Sequence, residues 1–216
     1  MCIELRALGH EAYSCDVIPC SGGHPEWHIQ QDVLPLLNGN CTFRDSGGGI
    51  HHIEGPWDMI IAFPPCTFLT NASAVRMRVK GEIQPERYAK MLEARAFFMA
   101  ILNADCEKIA VENPTPMKIC ELPPYTQAIQ PYQHGHPYSK RTCLWLKNLD
   151  PLQPTLIIDH HEPYVNGGCK DAHGNYRRFQ GRKERDPLTR AKTFPGIAKA
   201  MATQWAGTAN QLAVQM

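Results

Sequence analysis

Several features that would mark a membrane, secreted or repetitive protein are missing from this sequence. No apolar run reaches the roughly 18 residues that a membrane-spanning helix needs, and no secretory leader precedes the first predicted strand. There is no internal repeat and no low-complexity tract, which excludes a repeat array. The Ser-Gly-Gly-Gly segment at residues 46–49 is not followed by a lysine and a helix, so it is not a phosphate-binding loop. We therefore expect a cytoplasmic protein that does not contact membranes.

Net charge and cysteine content exclude fewer classes of protein. The 216 residues carry a net charge of +1 and are 43% hydrophobic, which suits one α/β domain with a small additional lobe and neither requires nor excludes nucleic acid. The nine cysteines are odd in number and have no repeating spacing, so we expect reduced, mostly buried thiols. His160, His161, Cys169 and His173 cluster without a closed zinc-ligand pattern. We expect no bound metal, and zinc at this cluster is the alternative.

Basic residues are concentrated in one segment. Residues 170–192 hold eight lysines and arginines against three acidic residues, with Tyr176 and Phe179 between them. Such a segment is typical of contact with a phosphate backbone, and a solvated basic loop is the alternative interpretation.

The apolar pattern predicts strands that alternate with helices. We predict strands near residues 11–17, 28–32, 57–63 and 108–111, helices at 1–9, 85–103 and 194–206, and a loop at 38–55. This order predicts an α/β fold with a mostly parallel sheet. We expect a catalytic core at residues 1–120, a small irregular lobe with a hairpin or sheet extension at 121–190, and a C-terminal helix within 191–216 that packs back on the core.

Potentially functional side chains follow four of these strands. They are Asp16, Asp32, Cys66 and Glu112, and Cys66 is preceded by the segment Phe63-Pro64-Pro65. In open α/β sheets ligands bind outside the carboxyl ends of the strands, so we treat the four as one site. A thiol there needs a nearby cation to ionise, and Arg141 is a candidate. The alternatives are a buried structural cysteine, a solvated carboxylate at Glu112 and ordinary capping aspartates.

Two of these turns together resemble the cytosine-5 DNA methyltransferase family. Phe63-Pro64-Pro65-Cys66 is similar to the nucleophile motif of the family, and Val111-Glu112-Asn113-Pro114 is similar to its Glu-Asn motif. The basic strand at 138–147 and the segment at 193–202 are similar to those of compact phage-type members. The resemblance implies a Rossmann-like methyltransferase sheet and a protein of a bacterium or a phage-infected host cell. The first strand and glycine-rich turn of the family have no counterpart upstream of Asp16.

The resemblance also implies the activity and the residues that carry it. Methyl transfer from S-adenosylmethionine to carbon 5 of cytosine in DNA would begin with attack of Cys66 on carbon 6, while Glu112 holds the ring and Arg141 the base carbonyl or its phosphate. The remaining implied contacts are Asp16, Asp32 and Pro64 to the cofactor, Asn113 and Pro114 in the loop that holds the base, and Lys140, Arg177 and Arg178 to the substrate. Two alternatives are a pyrimidine-modifying enzyme that acts on free nucleotides and a catalytically inactive nucleic-acid-binding or decoy relative.

These assignments predict a geometry. Cys66 and Glu112 should follow neighbouring parallel strands and line one pocket, with Arg141 facing the same space. Residues 177–190 should border the open side of that pocket, where the phosphates beside a flipped base would lie. Because the glycine-rich turn is missing from the sequence, we expect the chain to bind S-adenosylmethionine weakly.

Overall fold

The computed structural model describes residues 1–165, 167–170, 173, 175–179 and 191–209. It shows a mixed α/β fold. The helices are α1 Cys2–Ala7, α2 Ala74–Met77, α3 Pro85–Leu102 and α4 Pro195–Met201, which continues as a π-helical turn Ala202–Ala206. The predicted helices at the start, in the middle and at the end of the chain are therefore confirmed. Within the described residues, no helix is long and apolar enough to cross a membrane.

A four-stranded sheet forms the centre of the fold. Its strands are β5 Met59–Ala62, β8 Lys108–Asn113, β9 Gln127–Ile129 and β11 Thr142–Lys147, in the order β5-β8-β11-β9. Only β5 and β8 pair in parallel, through the crossover helix α3, while β11 is antiparallel to both of its neighbours. The expectation of a mostly parallel sheet is wrong for this sheet. Parallel neighbours need a long crossover, usually a helix, and no α-helix lies in the chain between β8 and β11 or between β9 and β11.

Each face of the central sheet packs against one helix. Side chains of successive strand residues point to opposite faces, so Ile109, Val111 and Cys143 join the α3 side of the core, and Ala110 and Leu144 join the α4 side. Phe98 of α3 is fully buried on the first side. This alternation decides which of the candidate site residues can meet.

The expected loop at residues 38–55 contains a β-hairpin instead. Strands β3 Cys41–Arg44 and β4 Ile50–Ile53 pair in antiparallel register, with the Ser-Gly-Gly-Gly segment in the turn. His51 Nε2 lies 2.7 Å from Asp45 Oδ2, and its Nδ1 lies 2.8 Å from the hydroxyl of Tyr13. The prediction was wrong because glycine and asparagine content dominated the local signal, whereas a hairpin contact to Asp45 and a long-range contact to Tyr13 hold His51 of β4 in place.

Within the described residues, four further short strand pairings are present. The two parallel pairs are β1 Ser14–Asp16 with β2 His28–Gln30 and β10 Tyr138–Ser139 with β12 Glu162–Pro163. The antiparallel ones not yet named are β6 Arg78–Val79 with β7 Glu82–Ile83 and β13 Gly167–Lys170 with β14 Tyr176–Phe179. Strands β9 and β11 extend the central sheet from within residues 121–190. The division of the chain at residues 120 and 190 stays a prediction.

Candidate functional site

The turns after β5 and β8 are joined to each other by hydrogen bonds. Ala62 of β5 lies beside Val111 of β8, so the two turns leave the sheet at the same edge. The side-chain amide of Asn113 donates to the carbonyl oxygen of Pro64 at 3.0 Å. Further along, Asn71 N donates to Thr115 O and Met117 N donates to Leu69 O, both at 2.8 Å. The prediction that Cys66 and Glu112 come from neighbouring parallel strands is therefore confirmed, with Cys66 four residues after β5 and Glu112 within β8.

Cys66 begins a short turn at this edge. The residue is half-buried, and its carbonyl oxygen accepts hydrogen bonds from the amides of Leu69 and Thr70 at 3.1 and 3.0 Å. These bonds close one helical turn directly after the nucleophile candidate. The backbone on both sides of Cys66 is thus held, by Asn113 at Pro64 and by this turn.

Glu112 lies in a narrow crevice on the α4 side of the sheet. The crevice is bounded by Phe63, Lys140, Thr142 and, from the C-terminal segment, Thr193, Phe194, Ile197 and Met201 among others. Glu112 keeps some surface accessibility, but burial of its carboxyl group raises the pKa above the ordinary glutamate value. The charge of Lys140 and a hydrogen bond from Thr142 oppose this shift without cancelling it. The carboxyl group is therefore biased toward its protonated form.

Arg141 does not face this crevice, and the prediction that it shares a space with Glu112 is wrong. Its guanidinium donates to the hydroxyl of Tyr125 at 2.7 Å and lies 5.7 Å from the centre of that ring. Tyr125 packs on the α3 side, against Trp145. Because the chain alternates faces along this segment, the neighbouring Lys140 points to Glu112 and Arg141 points away from it.

Cys66 is likewise not among the described residues that bound the crevice. Phe63 follows directly after β5, beside Glu112, and forms part of the crevice wall. Cys66 comes three residues later, after the chain has left the strand. The expected single pocket for Cys66, Glu112 and Arg141 is thus not formed. Cys66 and Glu112 share the sheet edge and the joined turns, but not this crevice.

The predicted cofactor residues fall into two places. Asp16 and Asp32 are exposed at the end of the β1–β2 pair, and each accepts a backbone hydrogen bond from two residues further on, from Ile18 and Leu34. Both carboxylates act on Cys15, whose pKa is raised to about 11, first by burial and then by their charges. Carboxylates accept hydrogen bonds from hydroxyl and amino groups, which an adenosine carries, so the chemistry of Asp16 and Asp32 fits the adenosine half of S-adenosylmethionine. Pro64 is buried, and its carbonyl oxygen accepts the hydrogen bond from the side-chain amide of Asn113.

The predicted substrate residues are distributed unevenly. Asn113 is completely buried and acts within the protein as described above, while Pro114 is half-buried beside it. Arg178 is exposed on β14. The side chain of Arg177 and most of the basic stretch at 177–190 lie outside the described residues.

Sequence reasoning missed several residues of the crevice. Thr142 follows Lys140 by two positions, so strand alternation places both on one face, and this signal could have been used. Phe63 and Phe194 carried no such signal, because residues 131 positions apart meet only through the packing of α4.

Comparisons with known proteins do not assign the chain to a family. The chain matches no protein-family model, and neither the curated proteins nor the solved structures contain a significant match. Among the described residues, no group of three or more histidine, cysteine, aspartate or glutamate side chains could hold a metal ion. The side chain of Cys169 lies outside those residues.

Proposed function

We propose that this protein transfers a methyl group from S-adenosylmethionine to carbon 5 of cytosine in DNA, with Cys66 as the nucleophile. The observation that carries the proposal is the hydrogen bond from Asn113 to Pro64, which joins the Pro-Pro-Cys turn to the Glu-Asn-Pro turn at one sheet edge. The unit β5–α3–β8 would be part of a Rossmann-like methyltransferase sheet. Asp16 and Asp32 would hold the adenosine half of the cofactor, which supplies an electrophilic methyl group when bound.

The state of Glu112 suits its part in this reaction. Ring nitrogen 3 of cytosine accepts a hydrogen bond and the neighbouring amino group donates one. A protonated carboxyl group offers the matching donor and acceptor, and the raised pKa of Glu112 favours that form. When the Cys66 thiolate adds to carbon 6, electron density moves into the ring toward nitrogen 3 and carbon 5. The proton on Glu112 stabilises that density, and Lys140 stabilises the carboxylate if the proton moves to the ring.

Carbon 5 then carries out the methyl transfer. As an enamine carbon it would form a bond to the methyl group that the bound cofactor supplies, with the electron pair of the broken sulfur–methyl bond remaining on the cofactor. Loss of the proton from carbon 5 to a water molecule and departure of the Cys66 thiolate would restore the aromatic ring, and any proton taken up by nitrogen 3 would return to the Glu112 carboxylate. In the described arrangement the crevice beside Glu112 is narrow and is not bounded by Cys66, so the proposed reaction requires a base position at the shared sheet edge that both side chains can reach.

Exchange of the hydrogen on carbon 5 tests the first step without the cofactor. Addition of Cys66 makes carbon 5 basic, so cytosine-containing DNA incubated with the protein in deuterated water should gain deuterium there. Cys66→Ser should abolish the exchange, and Cys20→Ser, a half-buried cysteine in the loop after β1, should retain it. Equal exchange with Cys66→Ser and the parent protein, or no exchange with the parent, contradicts the assignment. Exchange on deoxycytidine monophosphate but not on DNA would instead support the free-nucleotide enzyme.

Trapping tests the second step. DNA that contains 5-fluorocytosine, incubated with S-adenosylmethionine, should leave a covalent adduct on Cys66, because fluorine cannot leave as a cation in the final elimination. Exchange without trapping would show that the nucleophile acts but that methyl transfer does not follow.

A further inference from the structure

A short hairpin projects directly after the turn that holds Cys66. It consists of α2, β6, a turn at Lys80 and Gly81, and β7. Met77 is 2% exposed and anchors it in the α3 side of the core, and Gln84 N donates to Met77 O at 3.0 Å at its base. Nearly all of the remaining residues from 75 to 83 are exposed.

The base of the hairpin is fastened to the residues that follow Cys66. The carbonyl oxygen of Thr67 accepts from the hydroxyl of Ser73 at 2.7 Å and from the guanidinium of Arg87 at 3.4 Å. The charged ends of Arg87 and Lys90 lie over the ring of Phe68, at 5.1 and 5.8 Å from its centre. The hairpin and the first turns of α3 therefore form one surface beside the nucleophile turn, which we call the hairpin surface.

The hairpin surface carries unneutralised positive charge. Its cations are Arg76, Arg78, Lys80, Arg87 and Lys90, and its acidic residues are Glu82 and Glu86. In the described part of the chain, none of these cations forms an ion pair with a carboxylate. Exposed apolar side chains lie between the cations, with Val75 80% and Val79 51% exposed. Cations and exposed apolar side chains thus occupy one surface, which matches the phosphates and the sugar and base faces of a nucleic-acid strand.

We propose that the hairpin surface binds the nucleic-acid strand that carries the target base. This inference rests on the proposed function. Arg76 and Lys80 would contact phosphates on either side of the target nucleotide, where the base leaves the stack. Val75 and Val79 would pack against the sugars and the base faces exposed by that movement, as apolar wedges do in other proteins that distort DNA. The surface lies next to the nucleophile, whereas the basic stretch at 177–190 was expected from composition alone.

The salt dependence of DNA binding tests the proposal. Each lysine or arginine that contacts a phosphate contributes about one unit to the slope of log affinity against log salt concentration. We expect Arg76→Gln/Lys80→Gln to lower the slope for a labelled mixed-sequence duplex by about two units. The control is Arg44→Gln/Lys199→Gln, which removes one exposed arginine and one exposed lysine outside the hairpin surface. It should keep the parent slope. Val75→Asp should weaken binding at every salt concentration.

The outcomes separate this inference from the proposed function. If Arg76→Gln/Lys80→Gln keeps the parent slope while the parent protein still catalyses deuterium exchange on DNA, the hairpin surface is wrong and the enzyme assignment stands. If both double variants lower the salt-dependence slope equally, DNA binds through diffuse charge, and the assignment of DNA binding to the hairpin surface is wrong. If the parent protein neither binds the duplex nor catalyses exchange, both are wrong.

Discussion

The side-chain amide of Asn113 donates a hydrogen bond of 3.0 Å to the carbonyl oxygen of Pro64, which lies 49 residues earlier in the chain. Asn113 is completely buried, so this bond forms away from water. Pro64 lacks an amide hydrogen, and its carbonyl is the main-chain polar group through which the turn can be held. The bond fixes the start of the Pro-Pro-Cys turn against the Glu-Asn-Pro turn.

Replacing Asn113 should therefore separate these turns. Asn113→Ala removes the donor and leaves the Pro64 carbonyl buried without it, so we expect the free energy of unfolding to fall by about 1–3 kcal/mol. Denaturant titration measures this change. Asn103→Ala, at an exposed position after α3, should change stability by less than about 0.5 kcal/mol. Equal changes in the free energy of unfolding for the two variants would mean that the Asn113–Pro64 hydrogen bond does not stabilise the fold.

Glu112 should make stability fall as the pH rises. Its pKa is raised by burial, so the folded protein holds the proton at pH values where the unfolded chain has released it. Folding is therefore most favoured below the ordinary glutamate pKa, and stability is lost as the pH rises from there through the raised value. Glu112→Gln should remove this loss and be more stable than the parent near neutral pH. Glu93→Gln, an exposed carboxylate on α3, should follow the parent curve. A parent-like curve for Glu112→Gln contradicts the assignment of the proton.

Lys140 and Arg141 should differ in their effect on Glu112. The charge of Lys140 lowers the pKa of Glu112, while Arg141 is engaged with Tyr125 on the other face of the sheet. Lys140→Met should thus raise the pKa of Glu112 further, and Arg141→Met should leave it nearly unchanged. NMR titration of the labelled carboxyl carbon distinguishes the two. A larger change in the Glu112 pKa from Arg141→Met than from Lys140→Met would show that Arg141, and not Lys140, lies beside Glu112.

Gly196 should not tolerate a side chain. A Cβ atom there would lie 1.9 Å from the carbonyl oxygen of His134 and 2.9 Å from Nε2 of His136, which accepts a hydrogen bond from the Gly196 amide. Helix α4 would have to move, so we expect Gly196→Ala to destabilise the protein by about 1–3 kcal/mol or more. Gly22→Ala has no atom within 4 Å of the new Cβ and should be neutral. Thermal unfolding of both variants provides the measurement, and equal melting temperatures would show that α4 adapts without cost.

The sequence by itself determined the local elements and the order of the chemical groups. The apolar periodicity of α3 and the apolar runs of β5 and β8 are strong local signals, and these elements lie where they were predicted. The positions of Cys66 just after β5 and of Glu112 near the end of β8 also follow from the chain, because a strand that ends in proline or in Asn-Pro has little choice of where its turn begins.

The tertiary structure decided which groups meet. Local periodicity does not say which face of a strand will be covered by which helix, so only the packing of α4 placed Lys140 and Thr142 with Glu112 and left Arg141 with Tyr125. Strand direction also depends on the length and structure of the connections, which made β11 antiparallel. The bond between Asn113 and Pro64 forms only after β5 and β8 have paired, because their register alone brings residues so far apart in the chain within hydrogen-bonding distance.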